Sequence, residues 1–480
     1  MKQKVIALII GCTVAAGAGG MFAGTKLADE EKAAVPASSL LAKETGEAEF
    51  PGLEKVKQAY ELITDKYVEK VDREKLYEGA IQGMLSTLKD PYSIYMNKDT
   101  AKQFSDALDS SFQGIGAEVG LRDGKVIIVS PFKGSPAEKA GLHPNDEILR
   151  IDGKAIEGED LNETVLRIRG KKGTQVILEI RRAGTADPIA IPVKRDDIPL
   201  ETVFSKVKTN ENGKKAGIIQ ITSFSENTAA DFTKQLKKLE KEKIDGLVID
   251  VRGNPGGYLQ SVEEILKQFI PKDKPYIQIE QRNGDKTPSY SALAKKKSYP
   301  VNVLINKGSA SASEILAGAM KEAGQYDLVG DTSFGKGTVQ QAIPMGDGSN
   351  IKLTLYKWLT PDGNWIHKHG IEPTIAVSEP GYFTSGPLQP AAQLKKDMNS
   401  DEIKTAQVLL KGLGYDPGRE DGYFSLQTEQ AVKAFQKKNS LPATGIITQS
   451  MAEKINTQIQ ARKLNAKNDV QLNAAIKALF

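Results

Sequence analysis

The spacing of apolar residues near the start of the chain predicts two consecutive helices. One helical face, with the three- and four-residue intervals of an α-helix, is formed by Leu53, Val56, Tyr60 and Ile63. Asp72 is a favourable N-cap for the second helix, which ends before the Asp-Pro pair at 90–91. We expect residues 51–99 to form a helical arm that packs or dimerises rather than catalyses.

Residues 100–195 combine short strands with two short helices. The predicted strands are 125–131, 149–151 and 176–180, the last of which closes the block. The predicted helices are 135–141, which begins at a capping Ser-Pro pair, and 161–168. The pattern therefore indicates a small β-rich domain.

From residue 217 to about 380, predicted strands alternate with predicted helices, as is typical of a layered α/β core. The expected strands are 218–222, 247–251, 276–280 and 301–305, and the expected helices are 228–241, 261–269 and 312–323. We assign residues 196–385 to this core. A small three-helix unit is expected over 386–460 and a last helix over 461–480. The chain is thus expected to be a multidomain α+β protein.

The first residues carry the pattern of an export signal. Lys2 and Lys4 precede an apolar run over 5–23 that is long enough to remain as a membrane anchor. Residues 1–25 therefore fit a cleaved signal peptide or a retained anchor; a lipoprotein cleavage box at 9–12 and a buried helix are the weaker interpretations. Residues 26–50 lack periodicity and read as a linker. We expect the folded part to work outside the cytoplasm, either secreted or anchored.

The composition of the 480 residues excludes several classes of protein. Lys and Arg number 65 against 61 Asp and Glu, and this balance does not favour nucleic acid as a partner. Cys12 is the single cysteine, and the three histidines form no HExxH motif. Disulfides, a cysteine nucleophile, a cysteine-ligated metal site and a zinc site of the HExxH type are therefore not expected. The chemistry must come from hydroxyls, amines, carboxylates and backbone amides.

A serine-rich turn lies between the predicted strand 301–305 and the helix that follows it. Ser311 in this turn is a candidate nucleophile, because the unpaired N–H groups of a helix N-terminus stabilise a developing oxyanion. Plain helix capping is the alternative, since Ser311 and Glu314 have the spacing of a capping box. Considered alone, the turn favours capping.

A serine nucleophile needs a base, and Lys336 is the candidate. No GxSxG motif is present, and the histidines have no fixed spacing to a serine. A lysine base must be buried so that its pKa falls to about 7–8, and glycines on both sides of Lys336 allow a close approach to backbone. A surface lysine is the alternative. A phosphate-binding loop starting at Gly330 is less well supported, because Gly337 replaces its Ser or Thr and a strand follows.

The β-rich block resembles a PDZ domain through Gly-Ile-Gly-Ala, SPAEKAGL and NDEILRIDG, in that order. A dinucleotide-binding loop is excluded, because the third glycine is misplaced and no helix follows. PDZ domains bind the C-terminal carboxylate of a peptide at a backbone loop and pair the peptide with a strand edge. The resemblance implies that the carboxylate loop consists of Gly114, Ile115, Gly116 and Ala117.

GSASASEI, SFGKGTVQQ and VIDVRGNPGG together resemble the carboxyl-terminal processing proteases, which are serine peptidases of family S41. The resemblance covers about residues 55–380. It implies a Ser311 nucleophile, a Lys336 general base and a supporting Gln340 that orients the lysine by hydrogen bonding. It also implies an oxyanion hole formed by the amide of Ala312 and by the glycine-rich end of VIDVRGNPGG, residues 252–257, which we call the glycine loop. Gly256 and Gly257 of this loop remain equal candidates.

Residues after 394 resemble a peptidoglycan-binding domain, which either binds the cell wall or serves only as a brace. The expected protein is an exported serine endopeptidase that binds and cleaves protein C-terminal tails, without metal or cofactor. Resemblance to members from spore-forming bacteria implies sporulation signalling between two membranes, and the end helices suggest a homodimer. An inert scaffold and a nucleotide hydrolase that uses Lys336 are the alternatives.

Overall fold

The structure is a computed structural model that describes residues 51–108, 111–122, 124–132, 134–157, 161–182 and 187–480. The expected export signal and linker, residues 1–50, lie outside these ranges. Within them, no helix has both the length and the apolar character needed to cross a membrane.

The N-terminal arm is helical, as the apolar spacing predicts. It contains helices α1 (Pro51–Lys66) and α2 (Arg73–Ser86), strand β1 (Ile94–Met96) and helix α3 (Lys98–Leu108). Asp72 caps α2 as expected, since its carboxylate accepts a hydrogen bond from the amide of Glu74 at 3.0 Å. The rings of Tyr60 and Tyr77 stack with centroids 4.8 Å apart and hold the two helices together. Strand β1 and helix α3 were not predicted.

The PDZ domain follows as a small sheet with two helices. Its elements are β2 (Ser111–Gly114), β3 (Ala117–Arg122), β4 (Lys125–Pro131), α4 (Pro136–Lys139), β5 (Glu147–Ile151), β6 (Lys154–Ala155), α5 (Leu161–Ile168), β7 (Gln175–Arg181), β8 (Ile189–Lys194) and β9 (Asp196–Pro199). The strands are ordered β3-β4-β5-β7-β8, with β6 on β5 and β9 on β2. The prediction that strand 176–180 closes the domain is wrong, because β8 pairs along the whole of β7.

The core that follows has two sheets, whereas the alternating pattern of strands and helices predicts only a layered α/β core. Its elements are β10 (Val203–Thr209), β11 (Lys215–Ile221), α6 (Thr228–Lys241), β12 (Gly246–Asp250), α7 (Leu259–Leu266), β13 (Pro275–Glu280), β14 (Lys286–Tyr290), β15 (Val301–Ile305), α8 (Ala312–Glu322), β16 (Asp327–Gly330), β17 (Thr338–Pro344), β18 (Asn350–Leu359) and β19 (Ile375–Ala376). The main sheet is ordered β10-β11-β12-β15-β16-β19 and is parallel from β11 onward. In the second sheet β18 pairs with β13, β17 and β1, so the arm contributes a strand to the core.

The C-terminal region contains the expected three-helix unit. Its helices are α9 (Gly381–Thr384), α10 (Asp401–Gly412), α11 (Leu426–Lys438), α12 (Gln449–Leu464), the 3₁₀ turn Ala466–Asn468 and α13 (Val470–Leu479). The single helix predicted over 461–480 is wrong: α12 ends at Leu464 and Asp469 begins a new helix, because its carboxylate accepts a hydrogen bond from the amide of Leu472.

Both faces of the main sheet are covered, which explains its uniformly apolar strands. Alternate strand residues point to opposite faces: Ile249 and Val303 pack with α6, α7 and α8, whereas Val248 and Leu304 pack under α13. Helix α13 therefore belongs structurally to the α/β core.

Candidate active site

Ser311 stands at the junction of the buried strand β15 and helix α8. It is 3% exposed and has φ +55° and ψ −113°, a conformation that a non-glycine residue keeps only when its surroundings hold it. The carbonyl of Asn254 provides such a hold, since it accepts hydrogen bonds from the amide of Ala310 at 3.0 Å and the hydroxyl of Ser313 at 2.9 Å. The glycine loop therefore fixes the turn that carries the candidate nucleophile.

Glu314 joins the serine turn to the lysine loop. Its side chain is fully buried, and one carboxylate oxygen, Oε2, accepts from the backbone amides of Ser311 at 2.9 Å and Lys336 at 2.8 Å. The other oxygen, Oε1, accepts from the amide of Gly335 and the hydroxyl of Ser333, both at 2.6 Å. Burial raises the pKa of Glu314, although these donors oppose the change. One carboxylate thus brings together the two segments that the sequence singled out.

Lys336 is completely buried, so it is not the surface lysine of the alternative interpretation. Burial, assisted by the positive charge of Lys352, lowers the pKa of Lys336 to about 7, although Glu314 and Asp90 act in the opposite direction. The ring centroid of Tyr92 lies 4.9 Å from its Nζ. An amine with this pKa is about half neutral at neutral pH and can accept a proton.

The segment around Lys336 does not form a phosphate-binding loop. Lys336 is followed by strand β17 rather than by a helix, so the ring of helix N-terminal amides that such a loop needs is not built there. The interpretation as a nucleotide hydrolase is therefore not supported.

Gln340 is buried beside the lysine loop, but it does not make the expected contact. Its Nε2 donates to the hydroxyls of Thr338 at 2.9 Å and Thr354 at 3.0 Å. Its Oε1 is buried without a hydrogen-bond partner, so the anticipated hydrogen bond with Lys336 is not formed. The amide is therefore held by its nitrogen, and its oxygen remains an unused acceptor.

The structure distinguishes the two glycines proposed for the oxyanion hole. The amide of Gly256 already donates to the side chain of Asn254 at 2.8 Å. Gly257 instead lines a narrow crevice together with Ser311 and Ala312. The other walls of the crevice are Leu259, Ile315, Thr338, Val339 and Trp358. The geometry favours Gly257 and Ala312 as the two amide donors.

The candidate carboxylate loop, Gly114–Ala117, lies in the PDZ domain and is separate from the crevice at Ser311. Ile115 is buried, and its carbonyl accepts from the amide of Ala137 at 2.8 Å. The carbonyl of Gly116 accepts from the amide of Phe132 at 2.8 Å, and its φ of +73° explains the glycine. Among the described strands β3 pairs with β4 alone and lies next to α5, which leaves an edge for peptide pairing.

Sequence reasoning missed three residues at the site. Glu314 was considered only as a capping residue, whereas it receives four hydrogen bonds. Tyr92 was placed in the arm and Lys352 was not considered, yet both act on Lys336. The capping-box spacing could have indicated Glu314, but no local pattern relates Tyr92 or Lys352 to the lysine.

Comparisons with known proteins identify the families that the regions of this chain resemble. The profile matches are peptidase family S41 over residues 215–377, the N-terminal domain of activating protease CtpB over 14–100, a PDZ domain over 113–193 and a peptidoglycan binding domain over 399–455. The expected fold class, with arm, PDZ domain, protease core and small helical domain, is confirmed.

Two similar proteins of Bacillus subtilis are named carboxy-terminal processing proteases. The chain is 63% identical over 483 residues to carboxy-terminal processing protease CtpB of Bacillus subtilis and covers 100% of both proteins. It is 44% identical over 435 residues to CtpA of the same organism, with 91% of each chain covered. The solved photosystem II D1 C-terminal processing protease is 26% identical, with a TM-score of 0.42 over 68% of this chain and 86% of that one. This chain therefore belongs to the carboxy-terminal processing proteases of peptidase family S41, and it is a serine peptidase that carries a PDZ domain.

Proposed function

We propose that Ser311 and Lys336 form the catalytic dyad of this protease. Neutral Lys336 accepts the proton of the Ser311 hydroxyl, and the serine oxygen attacks the scissile carbonyl carbon. The amides of Ala312 and Gly257 stabilise the tetrahedral oxyanion. Protonated Lys336 then gives its proton to the leaving amine, and water, deprotonated by the same lysine, hydrolyses the acyl-enzyme.

The observation that carries this proposal is the shared carboxylate of Glu314. Because one oxygen binds the backbone amides of both Ser311 and Lys336, the two segments are held next to each other. The buried lysine supplies the second requirement, since its pKa of about 7 makes the neutral base available.

Gln340 has a role in this proposal that differs from the one expected from the sequence. Its unpartnered Oε1 would accept a hydrogen bond when Lys336 becomes protonated during the reaction. In this role Gln340 stabilises the charged lysine that forms in the transition state, rather than the neutral lysine of the resting enzyme.

We further propose that the PDZ domain recruits substrates by their C-terminal tails. The edge of β3 next to α5 supports pairing with an extended peptide, and the adjoining loop 114–117 would bind the terminal carboxylate. The crevice at Ser311 is walled by the apolar residues Leu259, Ile315 and Val339.

The dyad is tested with an unstructured polypeptide as substrate. Ser311→Ala and Lys336→Ala should each reduce cleavage by about 10³-fold or more, because each removes a group needed for the covalent step. Lys307→Ala removes an exposed lysine from the same serine turn and should cleave normally. Thermal unfolding of each variant verifies the fold.

The same assay separates the dyad from the recruitment step. Amidation of the substrate C-terminus should raise KM while leaving cleavage dependent on Ser311, since it removes the carboxylate that the PDZ loop binds. Near-normal turnover by Lys336→Ala would show that another base acts. If the wild-type protein produced no serine-dependent fragments from the polypeptide substrate, the inert-scaffold alternative would be supported.

We propose that the protein works outside the cytoplasm, with residues 1–25 as signal peptide or anchor, and contributes to sporulation signalling. Cell fractionation with N-terminal sequencing tests the location, and spore counts of a strain carrying Ser311→Ala test the process. Peptidoglycan is a second proposed partner, through residues 399–455, and sedimentation with purified cell walls tests it. We also propose a homodimer, whose test is given in the Discussion.

A further inference from the structure

The turn between α2 and β1 of the arm, residues 90–93, is built as a compact hydrogen-bonded unit. The carboxylate of Asp90 accepts from the hydroxyl of Ser93 at 2.6 Å and the amide of Tyr92 at 3.0 Å. The hydroxyl oxygen of Ser93 in turn accepts from the amide of Thr354 on β18 at 3.0 Å. The end of the arm is therefore fixed to the second sheet of the core.

This unit continues to Gln340. The hydroxyl of Thr354 is hydrogen-bonded to Asp90, and its oxygen accepts from Nε2 of Gln340 at 3.0 Å. Nε2 of Gln340 donates to the hydroxyl oxygens of Thr338 and Thr354, and these two acceptors fix the orientation of the side-chain amide. Thr354 links this orientation to Asp90. The arm thus helps to set the orientation of a candidate active-site residue.

Tyr92 lies between Lys336 and an open cavity. Its ring centroid is 4.9 Å from Nζ of Lys336. Tyr92 also lines a cavity of about 610 Å³, with Thr338, Thr354 and His367 among the other walls. Lys336 itself is not exposed and does not contribute to the walls. The tyrosine ring therefore separates the amine from a space large enough for many water molecules.

We propose that Tyr92 is a positioning residue of the protease, whose ring keeps water in the cavity away from Lys336 and so maintains the lysine as a neutral base. The inference rests on the proposed Ser311–Lys336 dyad. It assigns part of the active-site wall to the arm, a segment outside the residues that match the S41 family.

Other charged groups also face Lys336, and the test must leave them in place. Lys352 approaches from β18, Glu314 from α8 and Asp90 from the turn. The face of the Tyr92 ring also stabilises a cation, which raises the pKa of Lys336 and opposes the exclusion of water. Leucine at position 92 excludes water without an aromatic face, so it separates these two effects.

The test measures kcat/KM for a fluorogenic peptide as a function of pH. The wild-type rate should rise with pH through about 7, because the neutral fraction of Lys336 increases. Tyr92→Ala admits water, raises the pKa of Lys336 and should move this midpoint up by about one pH unit or more, which gives a loss of about fivefold or more at pH 7 that is recovered at high pH. Tyr92→Phe and Tyr92→Leu should keep the midpoint at or below the wild-type value.

Tyr95→Ala removes a ring from the adjoining strand β1 and is the matched control, with an expected wild-type midpoint. If Tyr92→Ala does not fold, Tyr92→Thr also removes the ring from the wall but leaves a smaller void. A uniform loss of rate at every pH, or an unchanged profile, overturns the inference. Activity of Lys336→Ala would instead refute the dyad itself, so the two failures are distinguishable.

Discussion

The burial of Lys336 lowers the free energy of unfolding at neutral pH, because the folded protein binds the proton of this amine more weakly than the unfolded chain does. A tenfold change in proton affinity corresponds to about 1.4 kcal/mol, so lowering the pKa from 10.5 to about 7 costs on the order of 4 kcal/mol at neutral pH. The cost is met inside a core that also holds the buried carboxylate of Glu314 and a second buried lysine, Lys352, whose pKa burial lowers to about 8. Buried groups of this kind are typical of active sites.

Lys336→Met should therefore unfold at higher urea concentration than the wild type near pH 7. Between pH 7 and 10.5 the unfolded lysine binds more protons than the folded one, so wild-type stability rises with pH and the advantage of the variant shrinks. The expected gain at pH 7 is about 4 kcal/mol, and it should nearly vanish at pH 10.5.

Urea unfolding at pH 6, 7 and 9 provides the measurement. Lys307→Met, at an exposed position of the serine turn, is the control and should leave stability nearly unchanged. A variant at position 336 that is less stable at neutral pH, or whose advantage grows with pH, would contradict the burial of a neutral amine.

At the residue scale, the sequence identifies the candidate reacting groups but not the groups around them. Ser311 and Lys336 are proposed from the family resemblance that their motifs carry together, since each motif considered alone favours helix capping or a surface lysine. The difference between Gly256 and Gly257 depends on a hydrogen bond to Asn254, and the contact of Tyr92 depends on how the arm folds back. Such long-range contacts leave no local pattern.

Elements with strong periodicity or caps are predicted well, and those formed by pairing are not. The helix over Thr228–Lys241 and the buried strand Val301–Ile305 were predicted with their observed bounds. Strand β14 has no alternating apolar pattern and is mostly exposed; it exists because it pairs with β13. The break before α13 was not predicted, because the asparagine and aspartate residues that form it occur inside an otherwise helical pattern.

Helix α13 is joined to the glycine loop by a charge network. Arg252, the residue that opens the loop after β12, donates to both carboxylate oxygens of Asp469 at 2.9 and 2.8 Å. Its guanidinium also contacts Asp250 at 2.7 Å and Gln471 at 3.2 Å. Because both side chains of the Arg252–Asp469 pair are mostly buried, the pair is worth more than a surface ion pair.

Asp469→Asn should destabilise the protein by about 1.5–3 kcal/mol, since it removes a charged hydrogen-bond partner but preserves a helix cap. Asp469→Ala should cost about 1 kcal/mol more, because the cap is lost as well. Cleavage should fall in both variants, as the loop that carries Gly257 begins at Arg252. Asp196→Asn, in an exposed pair with Lys172, is the control, and its expected change is below about 1 kcal/mol. Equal effects at positions 196 and 469 would show that the network is unimportant.

At the scale of the molecule, and among the described residues, the arm carries more exposed large apolar side chains than any other region. Leu53, Val56 and Ile63 on α1 are 57%, 50% and 40% exposed, although they form the regular face that predicted the helix. A contiguous apolar face of this kind marks an association surface. Since Tyr92 belongs to the same arm, association of two chains through α1 would stabilise the wall of the candidate active site.

The homodimer is tested by analytical ultracentrifugation across a dilution series. The wild type should sediment at twice the mass of one chain, and specific activity should fall when dilution produces monomers. Val56→Lys places a charge on the apolar face and should shift the equilibrium toward monomer, with the pH midpoint of kcat/KM moving upward as in Tyr92→Ala. Glu54→Gln changes the net charge equally at an exposed position of the same helix and should remain dimeric. A wild type that is monomeric and fully active at every concentration would refute both the dimer and its link to Lys336.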